Sequence, residues 1–276
     1  MHLSACGRDD PMPLMDLGDA SIHYEVRGSG PLTFVFCHGL GSNGQGFERD
    51  DMDWYAQHFR TISWDNRGLG RSGASAKYSL PAYAGDLARL LTKLDVTQAV
   101  VMGVSWGGVV VQRFALDYPE MCAAIVLDSS SSESNPKASD NWYMRGEVAR
   151  IGPAALAGRT MAPAFAGHAT VGESPAATPQ VKPEHIESYV AQSRAVAGLR
   201  EHPLTPYLSK IDMPTLVVAG GKDAVAGVGG SVILSRLIPG AHLEILPEAG
   251  HGVYRLAPDE FRAILLDFLR QRGLMS

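Results

Sequence analysis

The chain has 276 residues, 45% hydrophobic and 19% charged, enough for one large domain, or a domain with an insertion, around a substantial core. Its net charge of −5 gives no reason to expect nucleic acid or an acidic membrane surface as partner, and no apolar run approaches the ~20 residues that span a bilayer. Three cysteines, Cys6, Cys37 and Cys122, are too few and too far apart for a disulfide framework or a zinc site, and they fit a reducing, cytoplasmic setting.

Leu3-Ser4-Ala5-Cys6 looks like a lipoprotein cleavage box, but the basic start and apolar stretch of a signal peptide do not precede it, so residues 1–13 read as a loose lead-in. Met15 to Arg27 reads as one or two strands, closed by the turn Gly28-Ser29-Gly30-Pro31. Leu32 to Cys37 is a short continuous apolar run, the signature of a strand buried on both faces. His38-Gly39-Leu40-Gly41 follows, then a helix over Phe47 to Phe59, a strand over Arg60 to Asp65 and the glycine-rich loop Asn66 to Gly73. Ser79 can cap the next helix, with Pro81 in its first turn and Tyr83, Leu87, Leu90, Leu91 and Leu94 at helical spacing. Ala99 to Met102 and Cys122 to Asp128 are further buried strands. Strands and helices alternate, which implies an α/β fold with a mostly parallel sheet and helices on both faces.

The alternation stops at Ser129-Ser130-Ser131-Ser132. The segment to about His202 is rich in Ala, Met and Gly, with helical pieces near 140–151, 153–165 and 183–200. The α/β rhythm returns with a strand at Pro214 to Gly221, a helix near 228–238, a strand at Ala241 to Leu246 and a last helix carrying Phe261, Ile264, Leu265, Phe268 and Leu269 on one face. Residues 14–128 and 206–276 therefore form the core, and 129–205 a helical cap inserted over the carboxyl edge of the sheet, where α/β ligands bind.

Gly103-Val104-Ser105-Trp106-Gly107-Gly108 lies between a strand and a helix, which puts Ser105 at the apex of a tight turn. A serine hydroxyl needs a base within hydrogen-bond reach. Of nine histidines, His251 in Ala249-Gly250-His251-Gly252 has the best context: small neighbours, just after the last strand. A third group must fix the imidazole. Asp223 follows a strand end and completes a Ser…Asp…His order, while Asp128, also at a strand end, is its rival. The backbone N–H groups of Trp106 and Leu40 are the oxyanion donors such an elbow needs. His38 holds that loop or serves as a second imidazole. This chemistry requires no cofactor and no metal.

On these residues the chain resembles the α/β-hydrolase superfamily over about residues 15–272. The matching motifs are His38-Gly39-Leu40-Gly41, Asp65 to Ser72, Gly103 to Gly108, Gly221-Lys222-Asp223 and Gly250-His251. The resemblance implies a serine hydrolase, cleaving a carboxylic ester or lactone of a small to medium hydrophobic molecule, with C–C bond hydrolysis or cofactor-free perhydrolysis as alternatives on the same triad. Members that open epoxides or remove halide carry aspartate at the elbow, where this chain has Ser105. Trp106, with Gln112 and Asp117-Tyr118-Pro119-Glu120, also resembles the elbow of intracellular polyhydroxyalkanoate depolymerases.

In the cap, Trp142, Tyr143, Met144, Met161 and Phe165 are the candidates for substrate selection, against the plainer reading that Met and aromatic side chains at helical spacing pack a core. His168 is a candidate polar contact, against the plainer reading of a surface histidine. Two further classes compete. Gly39-Leu40-Gly41-Ser42-Asn43-Gly44 matches a dinucleotide fingerprint, with Asp65 placed to bind ribose, as in a nicotinamide-dependent oxidoreductase. A ligand receptor could also be built on a hydrolase fold.

Overall fold

The computed structural model describes residues 14–152, 155 and 181–276. Eight strands form one sheet: β1 (Leu14–Asp16), β2 (Ser21–Arg27), β3 (Thr33–Cys37), β4 (Arg60–Trp64), β5 (Ala99–Val104), β6 (Cys122–Asp128), β7 (Thr215–Gly220) and β8 (His242–Leu246). Their order is β1-β2-β4-β3-β5-β6-β7-β8. β1 and β2 are antiparallel to their neighbours, and the other pairs are parallel.

β3, β5 and β7 are buried at every residue, which is why their sequences are unbroken apolar runs. Successive side chains still alternate between the two faces. Val35, Val101, Ile125 and Val217 pack to one face with Leu87, Leu91, Val111 and Phe114. Phe34, Phe36, Met102, Val126 and Val218 pack to the other with Phe47, Phe59, Phe261 and Leu265.

The described helices are α1 (Gln45–Asp50), α2 (Met52–Ala56), α3 (Leu80–Lys93), α4 (Trp106–Asp117), α5 (Pro136–Ile151), α6 (Ile186–Gly198), α7 (Gly227–Leu237), α8 (Val253–Leu256) and α9 (Pro258–Gln271). Ser79 caps α3, accepting the N–H of Ala82 at 3.3 Å, with Pro81 in the first turn as its residue types require. The single helix expected over Phe47 to Phe59 is instead two short ones. Asp51, at φ −127°, breaks the run, and its carboxylate pairs with Arg262 of α9 at 2.9 Å. Met15 to Arg27 is two strands, turned at Gly18 with φ +89°.

Within 129–205, α5 and α6 pack against each other, with Val148 and Ala149 meeting Tyr189 and Val190. The piece expected near 153–165 lies almost wholly outside the described residues, as do Cys6, Met161, Phe165 and His168. Among the described residues, no helix is long and apolar enough to cross a membrane.

Candidate active site

Ser105 joins β5 to α4 with φ +55° and ψ −119°, a backbone that non-glycine residues rarely adopt. The glycines around it permit the turn. A Cβ on Gly103 would overlap the carbonyl of Gly107, and one on Gly107 would overlap the carbonyl of Cys37 at the end of β3. Neighbouring chain holds the apex: the Ser105 N–H donates to the Asp128 carbonyl at 2.9 Å, and the Ser130 hydroxyl donates to the Ser105 carbonyl at 2.9 Å.

Asp223 follows β7, and His251 lies in the loop between β8 and α8. Nδ1 of His251 stands 2.9 Å from Oδ2 of Asp223. Oδ1 of Asp223 accepts the N–H groups of Val225 at 2.7 Å and Ala226 at 3.0 Å. Burial works against charge on this carboxylate, but the hydrogen bond and charge of His251, with the two N–H groups, outweigh it and hold Asp223 below its ordinary value.

Asp128 has different work. Its carboxylate accepts the Ser129 hydroxyl at 2.8 Å and the N–H groups of Val253 at 3.1 Å and Tyr254 at 3.0 Å. The Ser129 oxygen in turn accepts the Gly252 N–H at 2.9 Å. Three successive backbone groups after His251 are thus pinned to the end of β6. Asp128 is fully buried, and burial pushes its carboxyl up to about 6. The Asp128–Ser129 anchor was not legible in the sequence: a serine run after a strand looks like the start of any loop.

The loop after β3 turns at Gly41, φ +70°, closed by the Ser42 N–H on the Gly39 carbonyl at 3.1 Å. His38 beneath it sets Nε2 3.2 Å from the Ser63 hydroxyl, and burial pushes the imidazole down to about 4. His38 therefore holds the loop as a neutral ring. No described residue accepts the Leu40 N–H, and Trp106, first in α4, has no intrahelical acceptor for its own.

Two cavities meet at Ser105, Leu40, Trp142 and Val225. One, of about 340 Å³, runs from Ser105 past Trp106 and Val109 to Gly229 and Ile233. The other, of about 490 Å³, contains His251, His38, Tyr254 and Arg145. Asn135, which caps α5, and Ala138, Trp142 and Arg145 within it form the stripe that faces them, at helical spacing. Tyr143 and Met144 lie outside both cavities. One and two residues past Trp142, each step turning about 100°, they point away and are 48% and 47% exposed.

Asp65 is no ribose ligand. It is fully buried, with Oδ1 accepting the Gly44 N–H at 2.6 Å and Oδ2 the Arg71 N–H at 2.9 Å. The dinucleotide reading of Gly39 to Gly44 falls with it. His23, Glu48 and Asp65 lie close enough together to hold a metal, but the Arg71 guanidinium bridges both carboxylates, at 2.7 Å on Glu48 and 2.9 Å on Asp65, and already supplies the positive charge there.

A family model described as the alpha/beta hydrolase fold matches residues 33–258. The chain is similar to a poly(3-hydroxyalkanoate) depolymerase of Ectopseudomonas oleovorans, 31% identical over 95% of this chain and 94% of that one. A Rhizobium rhizogenes protein named for carbamate hydrolysis is 28% identical over 91% of this chain and 99% of its own. Among solved structures, a hydrolase from Pseudomonas aeruginosa aligns with TM-score 0.78 and 26% identity, over 95% of this chain and 99% of that one.

Proposed function

The chain is an enzyme of the α/β-hydrolase-fold family, and we propose that it cleaves carboxylic esters or lactones through an acyl-enzyme on Ser105. The observation that carries this reading is the 2.9 Å bond between His251 and Asp223, with His251 lining a cavity shared with Ser105 at its strained apex. The Ser105 hydroxyl oxygen attacks the carbonyl carbon while Nε2 of His251 takes its proton. Asp223 orients the imidazole and stabilises its charged form. The N–H groups of Leu40 and Trp106 receive the oxyanion. The intermediate collapses, and His251 returns the proton to the departing alcohol oxygen. Water, deprotonated by the same imidazole, then attacks the acyl carbon and releases the acid and free Ser105.

The leaving group must lie on the side of the imidazole that protonates it. The 490 Å³ cavity contains His251 and takes the alcohol part; the 340 Å³ cavity takes the acyl part. Apart from the Ser105 hydroxyl, the polar side chains lining the acyl cavity are engaged within the protein: Ser129 donates to Asp128, Ser130 to the Ser105 carbonyl, Ser131 to that of Glu133 and Ser134 to that of Val196, while Glu133 accepts the Thr205 hydroxyl and Asn135 the Ala138 N–H. Trp106, Val109, Trp142, Leu199 and Ile233 thus set its character, which suits a hydrophobic acyl chain. In this reading 129–205 is the cap, with Trp142 selecting on both sides of the scissile bond. The buried free thiols of Cys37 and Cys122 suit a cytoplasmic enzyme.

A second reading narrows the ester to that of a hydroxyalkanoic acid. It is favoured by the Trp106 elbow together with 31% identity to the depolymerase across nearly the whole of both chains.

The test is hydrolysis of p-nitrophenyl esters, acetate to decanoate, and of 3-hydroxyalkanoate oligomers, by wild type and Ser105→Ala. Wild type should show a chain-length optimum, and Ser105→Ala should lose several powers of ten in turnover while staying folded. Near-native activity in Ser105→Ala sinks the mechanism. Labelling of Ser105 by a fluorophosphonate without turnover of any ester moves the function to C–C cleavage or to a receptor.

A further inference from the structure

Gln192 of α6 is fully buried, and its Oε1 accepts the N–H of Gly41 at 2.9 Å, across 151 residues of sequence. Gly41 immediately follows Leu40. We propose that Gln192 is a positioning residue for the oxyanion loop, through which the cap segment sets the catalytic power of the core. The proposal rests on the Ser105 mechanism above.

The physical reason lies in two consecutive peptide planes. Each is rigid. The Gly39 carbonyl and the Leu40 N–H share one plane, which the Ser42 N–H steadies through that carbonyl at 3.1 Å. The Leu40 carbonyl and the Gly41 N–H share the next, and only Gln192 grips it from outside the loop among the described hydrogen bonds. Glycine on both sides of Leu40, one at φ +70°, makes rotation of these planes inexpensive. If Gln192 is lost, the half-buried Gly41 N–H is left without its acceptor and the plane turns to find another. The Leu40 N–H then drifts from the oxyanion position, where displacement of about 1 Å can cost about 100-fold in rate.

Docking of α6 does not depend on this bond. The Ser188 hydroxyl, one turn earlier, donates to the Arg67 carbonyl at 2.7 Å, and Leu199 packs with Trp106, Val109 and Val110. The role of Gln192 is therefore separable from attachment of the helix.

The experiment compares Gln192→Met, which keeps the volume but has no oxygen, Gln192→Glu, which keeps an acceptor, and Ser188→Ala, which loosens the same helix elsewhere. The readouts are the rate at which Ser105 displaces fluoride from a fluorophosphonate, whose phosphoryl oxygen takes the oxyanion place, kcat and KM on the best p-nitrophenyl ester, and the melting temperature. Gln192→Met should slow labelling and kcat by about 10- to 100-fold with KM within about threefold. Gln192→Glu should recover most of the rate, and Ser188→Ala should stay within about twofold of wild type. Wild-type rates in Gln192→Met, or equal losses in Gln192→Met and Ser188→Ala, overturn the proposal. If Gln192→Met does not fold, Gln192→Asn, whose acceptor is retracted by one methylene, replaces it with the same expectation and the same overturning result. If wild type is not labelled, or Ser105→Ala labels as fast, the serine mechanism itself fails and the proposal with it, an outcome distinct from a silent Gln192.

Discussion

Asp223 meets His251 through a 2.9 Å hydrogen bond to Nδ1, whereas Asp128 gives its oxygens to the Ser129 hydroxyl and to backbone N–H groups beyond that histidine. Two strand-end aspartates thus divide the work: one addresses the imidazole, the other the loop that carries it.

Asp223→Asn should cost about 10⁴-fold in kcat, since an amide donor opposite Nδ1 favours the wrong tautomer. Asp128→Asn should cost far less turnover but should lower stability by about 1–3 kcal/mol, because the new NH₂ cannot accept a backbone N–H. Steady-state kinetics and urea unfolding of both variants separate the roles, and the reverse ranking of activities would return the acid role to Asp128.

Asp128 and His38 couple stability to pH with opposite signs. The Asp128 carboxyl, ordinarily at 3.8, stands at about 6 in the fold. Its contribution is fully present below the lower value and is lost as pH rises through about 6, because the folded state there holds the extra proton. The His38 imidazole falls from 6.5 to about 4, so its contribution is present above the ordinary value and is lost as pH drops through about 4. Each is on the order of 3 kcal/mol, and they nearly cancel. Asp128→Asn removes one partner of this balance. Its stability deficit against wild type should therefore grow as pH falls from about 7 to about 4. Urea midpoints across that range check it, and a constant deficit rejects the raised carboxyl.

Gly229 lines the acyl cavity, and a Cβ there would meet no atom within 4 Å. Gly229→Leu should shift the ester optimum toward shorter acyl chains with little loss on acetate. Gly229→Ala should stabilise α7 by about 0.5–1 kcal/mol, since alanine restricts the unfolded chain more than glycine. An unchanged optimum in Gly229→Leu would move the acyl chain out of this cavity.

Arg67 is fully buried and binds both oxygens of Asp86 at 2.6 Å. Arg67→Met should cost about 3 kcal/mol, because Asp86 would keep its burial and be left with one guanidinium, that of the half-exposed Arg89 at 2.7 Å. Thermal and urea unfolding measure the loss.

Where a backbone geometry is written in consecutive residues, it was legible. The Ser105 elbow demands glycines at 103 and 107, so its geometry shows in six letters. The strands show as apolar runs because both faces of the sheet are covered. The capping of α3 by Ser79 is likewise local. The α5 residues were read with less success: Trp142 faces the cavities, while Tyr143 and Met144 do not. Composition cannot tell which turn of a helix faces inward, because the phase is set by what the helix packs against.

The sequence by itself determined the alternating α/β framework and the strained turn at Ser105, since each depends on neighbours within a few residues. Only the tertiary structure decided which aspartate meets His251, what holds the loop around Leu40, and that Asp65 serves Gly44 and Arg71. Those outcomes depend on hydrogen-bond partners brought together from distant parts of the chain, and a directional bond is specified by where atoms meet rather than by their spacing along the sequence.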